Sequence, residues 1–171
     1  MKYMKNGSLK MRIISAAPKM TISRDYSNLE NTLLEDKTDY QNSEALVLEC
    51  AGYLLDSPID SIKADLDLMG AMQFILRWME GTPYITFNLD DSIIKAIRSD
   101  SCLFGIYLAS MVKYVLENKN SSGKSKDVKY NSLLIFISYI EDKARNIRLN
   151  KNLRAIITAK NQNLLKEYLS I

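Results

Sequence analysis

The sequence predicts an all-α fold, a compact bundle of six or seven helices with one extended crossover segment. Three observations carry that expectation. Apolar side chains recur at helical spacing through most of the chain after residue 43. Six Gly and three Pro are too few for a sandwich of many short strands joined by turns. Tyr84 to Leu89 is the one stretch that alternates polar and apolar residues, and one strand makes no sheet.

Residues 1–40 read as a poorly ordered N-terminal arm and residues 41–171 as a single helical domain. The arm is polar and charged, with one short helical possibility at Leu29, Leu33 and Leu34. The first sustained helix is expected over Ser43–Leu55. Ser43 suits the N-cap, and Leu46, Val47, Cys50, Tyr53 and Leu54 share a face. Asp56-Ser57-Pro58 ends it. The second helix is expected over Ile62–Glu80, with two apolar stripes. One holds Leu68, Met69, Met72, Ile75, Leu76 and Met79; the other holds Ala71, Phe74 and Trp78. Two stripes need cover on two sides, which puts this helix in the middle of the bundle.

A structural turn follows, built from Trp78, Gly81, Thr82, Pro83 and Phe87. Trp78 is expected to be buried. Gly81 suits the left-handed position after a helix, and Pro83 launches the crossover with Ile85, Phe87 and Leu89 turned inward. Asp90-Asp91 opens a short helix to Ile97, since acids favour the positive end of a helix. Ser99-Asp100-Ser101 caps the next, Cys102–Glu117, where Gly105 and Ala109 allow close approach of a neighbour. Residues 118–127 form the clearest loop. Leu133–Ile140 reads as the centre of a core helix over 128–143. A helix over 150–160 carries Leu153, Ile156 and Ile157, with Leu149 as a staple, and a short C-terminal helix carries Leu164, Leu165, Tyr168 and Leu169. The second, fourth and fifth helices are expected to meet around Trp78.

The net charge of +3 is unevenly spread. Residues 1–20 carry five basic side chains and no acid, whereas 21–69 carry eleven acids against three bases. Residues 118–171 carry eleven bases against four acids. Intramolecular balance on a solvated surface is the favoured account. No run reaches the length of a membrane span. The apolar core Ile13–Ala17 is shorter than a secretory signal needs. The chain as written therefore reads as cytoplasmic. Met4, Met11 and Met20 leave open a different start, which would make it periplasmic or secreted if it carried a signal.

There is no histidine, which removes His-based catalytic triads and imidazole metal sites. Cys50 and Cys102 each lie in an apolar stretch and read as small buried hydrophobes, with a disulfide left open by the sequence. Ser122-Gly123-Lys124-Ser125 lacks the first Gly of a P-loop and its preceding strand, and reads as a flexible loop. Asp56, Asp60, Asp65 and Asp67 cluster as Ca²⁺ or Mg²⁺ ligands would, but helix N-terminal electrostatics accounts for them. No metal and no cofactor are expected. Arg145, Arg148, Lys151 and Arg154 recur every three or so residues. Such a strip can meet phosphates, yet no nucleic-acid motif accompanies it, and a solvated helix flank is preferred. Glu80, beside Trp78, is the one acid that invites a catalytic reading, because a carboxyl against an aromatic ring can hold its proton more tightly. Trp78, Phe74 and the methionines around them read as core rather than as a ligand cavity.

The run Ala71-Met72-Gln73-Phe74-Ile75-Leu76-Arg77-Trp78-Met79-Glu80-Gly81-Thr82-Pro83-Tyr84-Ile85-Thr86-Phe87 resembles a small family of uncharacterised proteins from Bacteroidetes-type bacteria. Their pattern is a helix ending in Trp-x-x-Gly-Thr-Pro, then Asp and Tyr or Phe, then Thr-Phe. Leu103–Ala109, Lys113–Lys119 and Leu153–Leu169 extend the likeness over about residues 46–171. Tyr84 stands where the family carries Asp, so no role of that acid transfers. The resemblance implies an all-helical fold and export; it implies no activity. The expected function is a non-catalytic protein-binding or accessory module. The alternative is small-ligand binding, or a carboxylate-dependent enzyme, centred on the Glu80 turn.

Overall fold

The structure is a computed structural model and describes residues 25–119 and 125–171. Seven α-helices and no strand are found among them. They are α1 (Lys37–Asp56), α2 (Leu66–Gly81), α3 (Asp91–Ile97), α4 (Ser101–Glu117), α5 (Ser125–Glu141), α6 (Lys151–Asn161) and α7 (Leu165–Tyr168). Short 3₁₀ turns lie at Leu29–Asn31, Ile59–Ser61 and Lys143–Arg145.

The middle of the bundle belongs to α4, not to the second helix. From Cys102 to Val112 every residue of α4 except Phe104 is buried. A helix apolar all round needs neighbours all round, and α4 packs against α1, α2 and α5. Gly105 makes the α2 contact possible, since a Cβ there would fall 2.3 Å from the Met72 sulfur. On α2 only one side is fully covered. Leu68, Ala71, Phe74, Ile75 and Trp78 are buried, while Leu76 is 37% exposed. At one end of the bundle α3 packs on α6, and α7 folds back on α6.

The first helix begins six residues earlier than its apolar pattern suggests. Asp36 is the N-cap and forms a reciprocal capping box with Asp39. Ser43, expected to be the cap, is a buried residue inside α1. The polar run Lys37-Thr38-Asp39 hides this turn, although Tyr40 already lies on the buried side. Likewise α2 starts at Leu66 with Asp65 as cap, after the 3₁₀ turn at Ile59–Ser61.

The arm boundary expected at residue 40 moves. Residues 25–40 belong to the packed body, and residues 1–24 lie outside the described ones. Tyr26 is buried, stacks on Tyr53 at 5.0 Å and donates a 2.8 Å hydrogen bond to Glu49. The Arg77 guanidinium donates to the carbonyls of Leu29 (3.1 Å), Glu30 and Thr32 (2.7 Å). Gly70 permits this docking: a Cβ there would sit 2.2 Å from the Tyr26 carbonyl oxygen. These are long-range polar contacts, which helical periodicity does not report.

Candidate functional site

The site begins at the end of α2. Trp78 is fully buried, and its Nε1–H donates to the Tyr40 carbonyl at 3.0 Å. Its ring meets Phe87 edge-on at 6.1 Å. The indole thus joins α2 to α1 and the crossover, where the sequence placed it among the second, fourth and fifth helices. Gly81 closes α2 without the left-handed backbone expected of it; no described glycine has positive φ. Its role is space. A Cβ would fall 1.8 Å from the Tyr40 hydroxyl oxygen. Thr82 is extended (φ −61°, ψ 123°), as the residue before a proline must be.

Pro83 then sends the chain into the extended crossover, and residues 83–89 form no backbone–backbone hydrogen bond with any described residue. Tyr84 is anchored by its hydroxyl, which donates to Glu44 at 3.0 Å. Glu44 also pairs with Lys119. Burial, reinforced by the Glu44 carboxylate, pushes the Tyr84 phenol up to about 12. Ile85 and Phe87 are half-buried, but Leu89 turns outward and is 42% exposed, contrary to the inward alternation expected. It is the last apolar residue before α3, where the Asp90 cap takes over the chain's direction.

Between α2, the crossover and α4 runs a groove of about 450 Å³. Leu76 and Met79 form one wall, Ile85 and Phe87 another, and Phe104 and Leu108 of α4 the third. Thr82 contributes the one buried polar atom. Its Oγ1 lies near the Tyr84 hydroxyl but has no well-formed hydrogen-bond partner among the described residues. Glu80 lies on the rim, exposed and without an ion pair among the described residues. No second carboxylate, lysine or cysteine lines the groove. Asp90, the other acid near the crossover, is engaged. It caps α3 and pairs with Lys129 at 2.5 Å. Burial works to raise its carboxyl, but Lys129 and Ser92 prevail and hold it below the usual range.

The other sequence candidates separate. Asp65 caps α2, and Asp67 accepts from the Ser27 N–H at 3.0 Å. No group of three or more acids or cysteines among the described residues could hold a metal ion. Cys50 and Cys102 are both buried. Ser122, Gly123 and Lys124 lie outside the described residues, and Ser125 opens α5. Helix α5 thus takes up three residues assigned to the 118–127 loop. The basic strip divides. Arg145 is structural: its guanidinium lies 4.0 Å over the Tyr139 ring and donates to the Ser57 carbonyl at 2.6 Å. Arg148, Lys151 and Arg154 stay exposed. No helix among the described residues is long and apolar enough to cross a membrane.

The groove itself was not read from the sequence. Its signal was present in Leu76, which widens one stripe of α2 beyond what one neighbour covers, and in the unpaired alternation of residues 84–89. No protein-family model matches the chain, and no curated protein or solved structure is significantly similar to it.

Proposed function

We propose that the protein is a non-catalytic binding module whose groove takes an extended apolar segment of a partner protein. The single observation that carries this is the crossover. Its backbone from residue 83 to 89 has no backbone hydrogen-bond partner among the described residues, and it forms one wall of an apolar groove. Addition of a strand to such an edge supplies main-chain hydrogen bonds, while alternate side chains fill the groove. Glu80 and Asp91, exposed and without an ion pair among the described residues before and after the crossover, favour a partner segment with Lys or Arg flanking its apolar centre. The resemblance at the Trp-x-x-Gly-Thr-Pro turn fits an accessory role and brings no activity. The module is proposed to act in the cytoplasm, with the periplasm or exterior as the alternative that cell fractionation decides.

The test is selection of linear peptides on the full chain, followed by amide exchange of the complex. Selected peptides are expected to alternate apolar residues between basic ends and to protect amides within residues 84–89. Leu76→Asp and Leu89→Asp, both at exposed positions, are expected to abolish binding and leave the fold intact. Binding that survives both substitutions removes the groove from the account.

A second reading has one observation in its favour, that Glu80 lies on the groove. In it the groove holds a small ligand, or substrate, oriented by the carboxylate. Glu80→Gln separates the two. It leaves peptide binding within a few fold, whereas a carboxylate-dependent activity would fall with it.

A further inference from the structure

Arg148, Lys151 and Arg154 share no lining residue with the groove, and the binding of a peptide gives them nothing to do. All three line a second concavity of about 620 Å³, between the α3–α4 turn and the start of α6. Ala96, Leu103 and Leu149 give this cavity an apolar wall. None of the three cations has an ion pair among the described residues. The one acid lining the cavity is Asp100, and its carboxylate already accepts from the N–H groups of Cys102 (3.0 Å) and Leu103 (3.2 Å).

The polar framework of the cavity is fixed. Asn150 Oδ1 accepts from the Leu153 N–H at 2.9 Å, and its Nδ2 donates to the Ala96 carbonyl at 2.7 Å. One side chain therefore pins the start of α6 against α3. The amides of Lys151 and Asn152 find no acceptor among the described residues. Three positive side chains crowd this positive helix end, an arrangement that is unfavourable until an anion arrives.

We infer that this cavity binds a small organic phosphate monoester. Arg148, Lys151 and Arg154 hold the phosphate, and the organic part rests on Leu103 and Leu149. Arginine forks match phosphate oxygens in pairs, and the cavity has the size of a small-molecule site. A nucleic acid would need cations along a track of several phosphates; here they surround one concavity.

The experiment titrates the full chain with phenyl phosphate and, separately, with inorganic phosphate, followed by amide NMR. Saturable shifts at Lys151 and Asn152 are expected, with phenyl phosphate bound more tightly. The double substitution Arg148→Ala/Arg154→Ala is expected to weaken binding about tenfold or more. Lys37→Ala, at an exposed base on α1, is expected to leave it unchanged. Both variants change exposed residues, and unchanged circular dichroism verifies their fold. Four results would overturn the inference: no shifts, the same shifts with chloride at matched ionic strength, equal loss in Lys37→Ala, or tighter binding of a short oligonucleotide. Equal affinity for the two phosphates would overturn the organic part of the ligand.

Discussion

At the end of α2 the Trp78 indole is fully enclosed, its one N–H bound to α1, and the Tyr40 hydroxyl occupies the place a Cβ on Gly81 would take. At the start of α6, by contrast, Arg148, Lys151 and Arg154 stand exposed with no paired acid among the described residues. The first region is held by close packing, so its residues answer for stability. The second contributes little to the fold, so its residues are free to answer to a ligand. Substitutions can break or sharpen that contrast.

The largest effect is expected at the indole. Trp78→Ala should cost about 3–5 kcal/mol in urea unfolding, through an unfilled cavity and an orphaned carbonyl. A loss under about 1 kcal/mol would mean that the junction is looser than its burial implies. Next comes Gly81→Ala, expected to cost about 1–3 kcal/mol because Tyr40 is buried and must swing away from the new Cβ. Gly105→Ala meets Met72 instead, whose Sδ would lie 2.3 Å and Cγ 2.8 Å from the new Cβ, in a side chain more adaptable than a tyrosine ring. The gain in helix propensity, about 1 kcal/mol, should offset part of that contact and leave a loss smaller than that of Gly81→Ala. Calorimetry of the two alanine variants gives the comparison directly.

The packed region also has a pH signature. Burial pushes the phenols of Tyr84 and Tyr107 up to about 12. Unfolded phenols ionise near 10, so this contribution to stability is complete below pH 10 and is lost as pH rises through 12. Phenolate absorbance and far-UV circular dichroism should change together in that window. Tyr107 has a further consequence, since its buried hydroxyl meets no well-formed hydrogen-bond partner among the described residues and is near the Asp90 backbone. Tyr107→Phe should therefore be neutral or stabilising by about 1 kcal/mol, and should remove part of the alkaline transition. The smallest effect is expected at α6. Arg154→Ala should change stability by no more than about 0.5 kcal/mol, and a larger loss would make the strip structural after all.

Much of the fold was legible because helices announce themselves locally. Asp90, Asp100 and Asn150 stand at the starts of α3, α4 and α6. The dense apolar run of α5 is helical, as the absence of strand partners suggested. What escaped was non-local. The Arg77 guanidinium reaches carbonyls more than forty positions earlier in the chain, and no periodicity records that. Gly81 was assigned to a backbone need when its reason was a tyrosine on another helix. The groove combines residues of three elements, each ordinary by itself. For the basic strip, spacing identified the residues but could not tell Arg145, folded onto Tyr139, from the three that face a cavity.

The two buried cysteines give the molecule its own clocks. Cys50 lies in α1, the helix that accepts the indole N–H, and Cys102 lies in the first turn of α4, two residues after Asp100, which lines the other cavity. Burial, then the Asp100 carboxylate, raises the Cys102 thiol, so it is slow to react while enclosed. A thiol reagent must wait for each helix to open, and the two labelling rates time separate breathing motions at native sulfurs, without an introduced probe.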